Sequence, residues 1–119
     1  TELNYENNYR YIRYADVLLM AAEANNRGGI SDSKAQSYLN QVRSRAGVSS
    51  VNETGSALTQ AIWDERRLEF AGEGHRFFDL VRTGQAANEI SGFVAGKHEV
   101  FPIPQTEIDI SGLTQNPGY

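Results

Sequence analysis

Glu65 and Glu69 stand one helical turn apart in the most highly charged stretch of the chain, DERRLEFAGEGHRFFDLVRTG, from Asp64 to Gly84. Those twenty-one residues hold five acids, five bases counting His75, and three phenylalanines. Paired carboxylates can do chemistry. With their pKa values pushed apart, one serves as general acid and the other as nucleophile or base, as in glycoside hydrolysis. That chemistry needs the pair to face each other across a cleft with room for a substrate. Two residues one turn apart on one helix supply no such cleft, and without cations between them they repel. The competing reading is structural. Arginine offers a planar fork that matches a carboxylate, and Arg13, Arg43, Arg45, Arg66, Arg76 and Arg82 are all available as partners. Buried pairs of this kind fix the register of one helix against the next, and Gly72 and Gly74 then permit a sharp turn after the helix. The residues favour this second reading.

Other chemical motifs are weaker. GEGHRF, beginning at Gly72, is half of a GxGxxG phosphate loop, but Phe77 replaces the third glycine and a helix precedes it where a strand is required. His98-Glu99 opens an HExxH motif that Pro102 interrupts at the second histidine. His75 and His98 lie far apart, and an isolated histidine is more often a surface or hydrogen-bonded residue than a metal ligand. Asn52-Glu53-Thr54 fits the N-glycosylation pattern, which is easily matched by chance. With no cysteine in the chain, disulfides, thiolate-ligated zinc and thiol nucleophiles are excluded, and the residues call for no cofactor or metal. Tyr5 and Tyr9 precede the first helix and are the weak candidates for stacking on a ligand; the spacing of Tyr11 and Tyr14 predicts core positions.

The elements that must position these residues are helices. RYIRYADVLLMAAEANN predicts a helix from Arg10 to Asn26, ended by Gly28-Gly29. Ile12, Ala15, Leu19 and Ala22 form one apolar stripe, with Tyr11, Tyr14, Leu18 and Ala21 beside it. Arg13, Asp16, Glu23 and Arg27 collect on a separate polar line, where Arg13–Asp16 and Glu23–Arg27 can pair. So wide an apolar surface must be covered on more than one side. Two hairpins do not suffice for that, so either the chain self-associates through this helix or helices of a longer protein cover it. A second helix, capped by Ser31 or Asp32, carries the core stripe Ala35, Leu39, Val42 and Ala46, places Arg43 and Arg45 in its last turn, and ends at Gly47. A third runs from Thr54 or Ser56 to Ala71, with Leu58, Ile62, Glu65, Glu69 and Gly72 inward. A fourth spans about His75 to Thr83, with Phe77, Leu80 and Val81 inward, and QAANEISGFVAG has room for one more turn. Pro104 forces Ile103 out of helical angles, so HEVFPIPQTEI reads as extended, before the turn-rich LTQNPGY. The expected fold is all-α: antiparallel helix hairpins resembling a tetratricopeptide-like array, with an extended proline-rich tail, forming one domain over 1–119. The strict tetratricopeptide repeat length and consensus are not visible.

Composition narrows the function. The 119 residues are 39% hydrophobic and 22% charged, with a formal net charge of −4. No face gathers the lysines and arginines of a nucleic-acid binder, and no apolar run is long enough for a transmembrane helix.

Four segments, RYADVLLMAAEA, LNQVRSRAG, DERRLEFAGEGHRFFDLVRTG and the closing FPIPQTEI with LTQNPGY, together resemble the C-terminal part of the SusD/RagB family, in the same order and over nearly the whole chain. Among the matching residues are Arg13, Asp16, Asn40, Arg43, Arg45, Gly47, Glu65, Arg66, Glu69, Gly74, Arg76, Asp79, Arg82, Pro102, Pro104 and Asn116 to Tyr119; Thr83 departs, standing where tryptophan is frequent. The resemblance implies a non-catalytic surface lipoprotein of the outer membrane in Bacteroidetes-type bacteria. Such a protein binds glycans, or sometimes peptides, and assists uptake through a SusC-type TonB-dependent transporter. It implies a tetratricopeptide-like scaffold, and it implies that the family's N-terminal part, with the lipid-anchoring cysteine and most ligand-contacting loops, lies outside this sequence. No sugar-contacting residue is carried over. The matching residues are those of the scaffold, and the expected ion-pair framework is Arg13, Asp16, Arg43, Arg45, Glu65, Arg66, Glu69, Arg76, Asp79 and Arg82. A tetratricopeptide-like protein–protein interaction module is the alternative function.

Overall fold

The computed structural model describes residues 11–119. It is all-helical, with α1 Tyr14–Arg27, α2 Asp32–Arg45, α3 Gly55–Glu69, α4 Arg76–Arg82, α5 Ala86–Glu89 and α6 Gln105–Ser111, and no strand among the described residues. The chain divides into two compact units, Thr1–Ala71 and Gly72–Tyr119.

In the first unit a short turn folds α2 back on α1, and α3 packs on both. Gly28 N–H donates to Ala24 O at 3.0 Å as α1 ends. Ser31 caps α2, its hydroxyl accepting from Lys34 N–H at 3.3 Å. Asp32 in the first turn and Arg43 and Arg45 in the last complement the helix dipole. Gly47 follows α2 with φ +74°, a conformation that favours glycine. Leu19 and Ala22 of α1, Ala35, Leu39 and Val42 of α2, and Leu58 and Ile62 of α3 interlock in the core, with Phe70 closing it. Leu19, Leu39, Leu58 and Ile62 are each fully buried, which contributes about 1.5–3 kcal/mol per side chain.

Several expectations are corrected. Helix α1 starts at Tyr14, with Arg13 as its extended N-cap, rather than at Arg10. Of its polar line, Asp16 and Glu23 are buried, with Asn26 beside them and Leu18, Leu19 and Ala22 in the core, while Arg27 is exposed. Tyr11 and Ile12 are exposed, not core, because they precede α1; Tyr14 is exposed because turning Asp16 and Glu23 inward rotates it away. Ala46 is exposed as the C-cap of α2, and Gly72 lies outside α3 and is exposed. Tyr5 and Tyr9 lie outside the described residues.

In the second unit α4 packs on α5 around buried Leu80 and Ala86. Phe77, expected inward with Val81, is half-buried as Val81 is; its ring centre lies 6.5 Å from that of Phe93 and 6.4 Å from that of Phe101. Residues 101–104 are extended, but helix α6 follows at once from Pro104, where a continued extended tail was expected. Proline restricts the residue before it and is at home at a helix start. Side-chain amides take the place of a strand partner. Ile103 N–H donates to Gln115 Oε1 at 2.8 Å, and Gln115 Nε2 donates to Ile103 O at 2.9 Å. Asn116 Nδ2 reaches Phe101 O at 2.6 Å, and the Tyr119 hydroxyl donates to Val100 O at 3.0 Å. Gly118 has φ +85°, and a Cβ there would come within 3.0 Å of Lys97 Cγ.

Leu39→Ala removes the side chain at the meeting of three helices. It is expected to lower the unfolding free energy by about 2–5 kcal/mol in denaturant titrations, whereas Leu68→Ala, at an exposed position, is expected to change it by less than about 0.5 kcal/mol.

Candidate functional site

Helix α3 turns Leu58, Ile62, Glu65 and Arg66 inward, so its apolar stripe passes into charge along its own length. Glu65 is 5% exposed, and its Oε2 accepts from Arg43 Nη1 at 2.5 Å. Arg43 sits in the last turn of α2, and its Nε also donates to Ser49 O at 2.7 Å, which fixes the guanidinium plane. Glu69 gathers two arginines. Arg13 Nη1 donates to its Oε1 at 2.8 Å and Arg13 Nη2 to its backbone carbonyl at 3.0 Å, while Arg45 Nη2 donates to its Oε2. Arg66 reaches back to Asp16 of α1, Nη1 to Oδ1 at 2.7 Å, with both residues buried. Phe70 lies beneath two of these cations, its ring centre 4.9 Å from the Arg13 guanidinium carbon and 5.1 Å from that of Arg66. Glu23 pairs with Arg27 at 2.8 Å.

The structure thus brings Arg13, Asp16, Arg43, Arg45, Glu65, Arg66 and Glu69 into one cluster within the first unit. The remaining three expected residues lie in the second unit: Arg76 faces Glu89 at 3.4 Å, and Asp79 accepts from Arg82 Nε at 2.7 Å. Chemically, the cluster holds carboxylates in guanidinium forks under a packed helix. A base or nucleophile has to meet a substrate, whereas Glu65 is 5% exposed and its Oε2 is taken up by Arg43 Nη1. Among the described residues no group of three or more histidines, cysteines or acids could hold a metal ion, and no helix is long and apolar enough to cross a membrane.

One polar junction escaped sequence reasoning. Asn26 Nδ2 donates to Asp32 Oδ1 at 2.7 Å and to Gly55 O at 3.0 Å, and its Oδ1 accepts from the Thr59 hydroxyl at 2.5 Å. Gly55 N–H donates to Asp32 Oδ2 at 2.7 Å. The end of α1 and the starts of α2 and α3 therefore share one knot. The Gly55 backbone N–H, and after it the Asn26 amide, hold the Asp32 carboxyl below its ordinary value of 3.8. The only available signal was an Asn and an Asp beside helix ends, which local capping explains equally well. A groove of about 810 Å³ lies between α1 and α2, lined by Ala15, Leu18 and Val42 together with Asn40, Gln41 and Arg45.

The model of the SusD family matches residues 1–100. The chain belongs to the SusD family. SusD-like protein P2 of Formosa agariphila is 34% identical over 94% of this chain and 26% of its own length. Among solved structures, a SusD homologue of Bacteroides thetaiotaomicron is 37% identical with a TM-score of 0.80, over 89% of this chain and 24% of that one. Surface glycan-binding protein A of Bacteroides uniformis is 40% identical with a TM-score of 0.76, over 96% of this chain and 28% of that one. The chain spans about a quarter of the length of the curated relatives it matches.

The geometry of this SusD segment makes two outcomes testable. Glu65→Gln leaves the Arg43 cation without its counter-charge; it is expected to cost about 3–5 kcal/mol in calorimetric or denaturant unfolding, against less than about 1 kcal/mol for Arg45→Ala, whose side chain is 60% exposed. The lowered pKa of Asp32 means that its charged form stabilises the fold above the ordinary value of 3.8, and that this contribution fades as pH falls through the lowered folded-state value. Asp32→Asn is therefore expected to lower the melting temperature by a constant amount above about pH 5, and the gap to the parent chain is expected to close on acidification below that.

Proposed function

We propose that this chain is the helical framework of a longer, non-catalytic glycan-binding protein of the bacterial outer-membrane surface. That protein is lipid-anchored and assists nutrient uptake through a SusC-type TonB-dependent transporter. The observation that carries the reading is the combination of SusD-family membership with the chemistry of the ion-pair cluster. Glu65, Arg66 and Glu69 of the charged motif are taken up by ion pairs between α3 and its neighbours α1 and α2. Likeness to a surface glycan-binding protein at 40% identity supports glycan as the ligand class. The sugar contacts belong to other parts of the longer protein, and the ten residues of the expected ion-pair framework act as scaffold.

Glycan-array binding of the longer protein, run beside this chain alone, tests the proposal. The longer protein is expected to retain oligosaccharides that this chain does not, and neither is expected to release new reducing ends. Absence of any glycan binding by the longer protein would remove the ligand class. Hydrolysis by the chain that is lost in a Glu65→Gln or Glu69→Gln variant still giving the parent circular dichroism spectrum would overturn the framework reading.

A further inference from the structure

The second unit contains a hollow whose walls are rings. Phe77, Phe93, Phe101, Tyr119 and the imidazole of His98 line a cavity of about 300 Å³. The Phe77 ring lies near two of the others, at 6.5 Å from Phe93 and 6.4 Å from Phe101 between centres, with the planes tilted by 54° and 36°. The His98 ring meets Phe93 edge-on at 5.7 Å. No lysine, arginine, aspartate or glutamate is in the lining; Lys97, whose ammonium is 4.7 Å from the Tyr119 ring centre, stands outside it. The polar groups of the wall are few, and most are taken. The Tyr119 hydroxyl donates to Val100 O at 3.0 Å, and His98 Nδ1 accepts from Val94 N–H at 2.9 Å. A neutral imidazole that accepts at Nδ1 carries its proton at Nε2. Among the described residues no acceptor takes that proton.

We propose that this cavity binds an uncharged small molecule built on one aromatic ring that carries a carbonyl oxygen. Its volume is at the small end for ligand sites, which suits a single ring with a short substituent. Ring walls favour a planar aromatic guest, because edge-to-face and offset contacts add to what burial of apolar surface contributes by itself. A charged guest would give up its hydration with no opposite charge in the lining to replace it. A guest without a polar atom would leave the His98 Nε2–H unpaired, and an acceptor oxygen supplies its partner. A pyranose brings several hydroxyls, more than this wall can pair, so the site is distinct from the glycan reading and does not rest on it.

Titration of the chain with methyl benzoate, followed by the NMR shifts of its aromatic side chains, tests the proposal. Saturable binding is expected with a dissociation constant on the order of a millimolar, as a ligand of about ten heavy atoms allows. The largest shifts are expected at Phe93, His98 and Phe101. Benzoate, ethylbenzene and methyl cyclohexanecarboxylate each lack one of the three features, being charged, without an acceptor and without an aromatic ring. Each is expected to bind about fivefold more weakly or worse. Phe101→Ala, at a position 73% exposed, is expected to keep the parent circular dichroism spectrum and to weaken methyl benzoate about tenfold. His98→Phe keeps a ring in the wall without the donor, and is expected to erase the preference for methyl benzoate over ethylbenzene. The proposal is overturned by the absence of saturable shifts, by equal binding of all four probes, or by tighter binding of benzoate. Shifts confined to the first unit, or full affinity in Phe101→Ala, would overturn it as well.

Discussion

Guanidinium–carboxylate pairing between helices is the constraint on which the first unit depends. Every one of these pairs ties α3 to one of the other two helices. Arg66 to Asp16 fixes α3 on α1, Arg43 to Glu65 fixes α2 on α3, and Glu69 draws in Arg13 from the cap of α1 and Arg45 from the end of α2. Taking these groups out of water costs much of what their attraction returns, so the cluster adds little net stability. Its effect is selective. A slip of any helix by one turn would strand a buried charge, whereas the leucines and alanines of the core tolerate a slip much better. Apolar packing supplies the driving force, and the ion pairs choose one register from those it allows.

The orientation of α1 comes from the same pairing. Asp16 and Glu23 lie inward, and Asn26, on the same side, enters the knot with Asp32, Gly55 and Thr59. Once that side is committed, Tyr14, Val17 and Met20 face outward whatever their hydrophobicity. The exposed apolar face is thus a consequence of the buried polar one.

In the role proposed above, such a segment holds other parts in place. Glu65, Arg66 and Glu69 of its most densely charged motif are paired internally, and its second unit is stitched by the amides of Gln115 and Asn116 to the residues before α6. Membership of the SusD family and the internal ion pairing together are what support the framework role proposed above.

Much of this was legible in the residues. The spacing of Ala35, Leu39 and Val42 marked a core face of α2 because only one helical period brings them together, and Gly28-Gly29, Ser31 and Gly47 marked helix ends through local backbone chemistry. Arginines and glutamates one turn apart signalled an ion-pair cluster, and the family resemblance rested on segments read directly from the chain. Pro104 makes HEVFPIPQTEI read as extended, yet it opens α6, because a proline restrains the residue before it more than the residues after it. Which arginine meets which acid, which side of α1 turns inward, and how Asn26 bridges to Gly55 twenty-nine residues away were decided only by the tertiary structure. Local sequence sets the conformation of each helix and which residues share a face. The rotation of one helix against another depends on desolvation and pairing between distant residues, and that balance exists only once the helices have met.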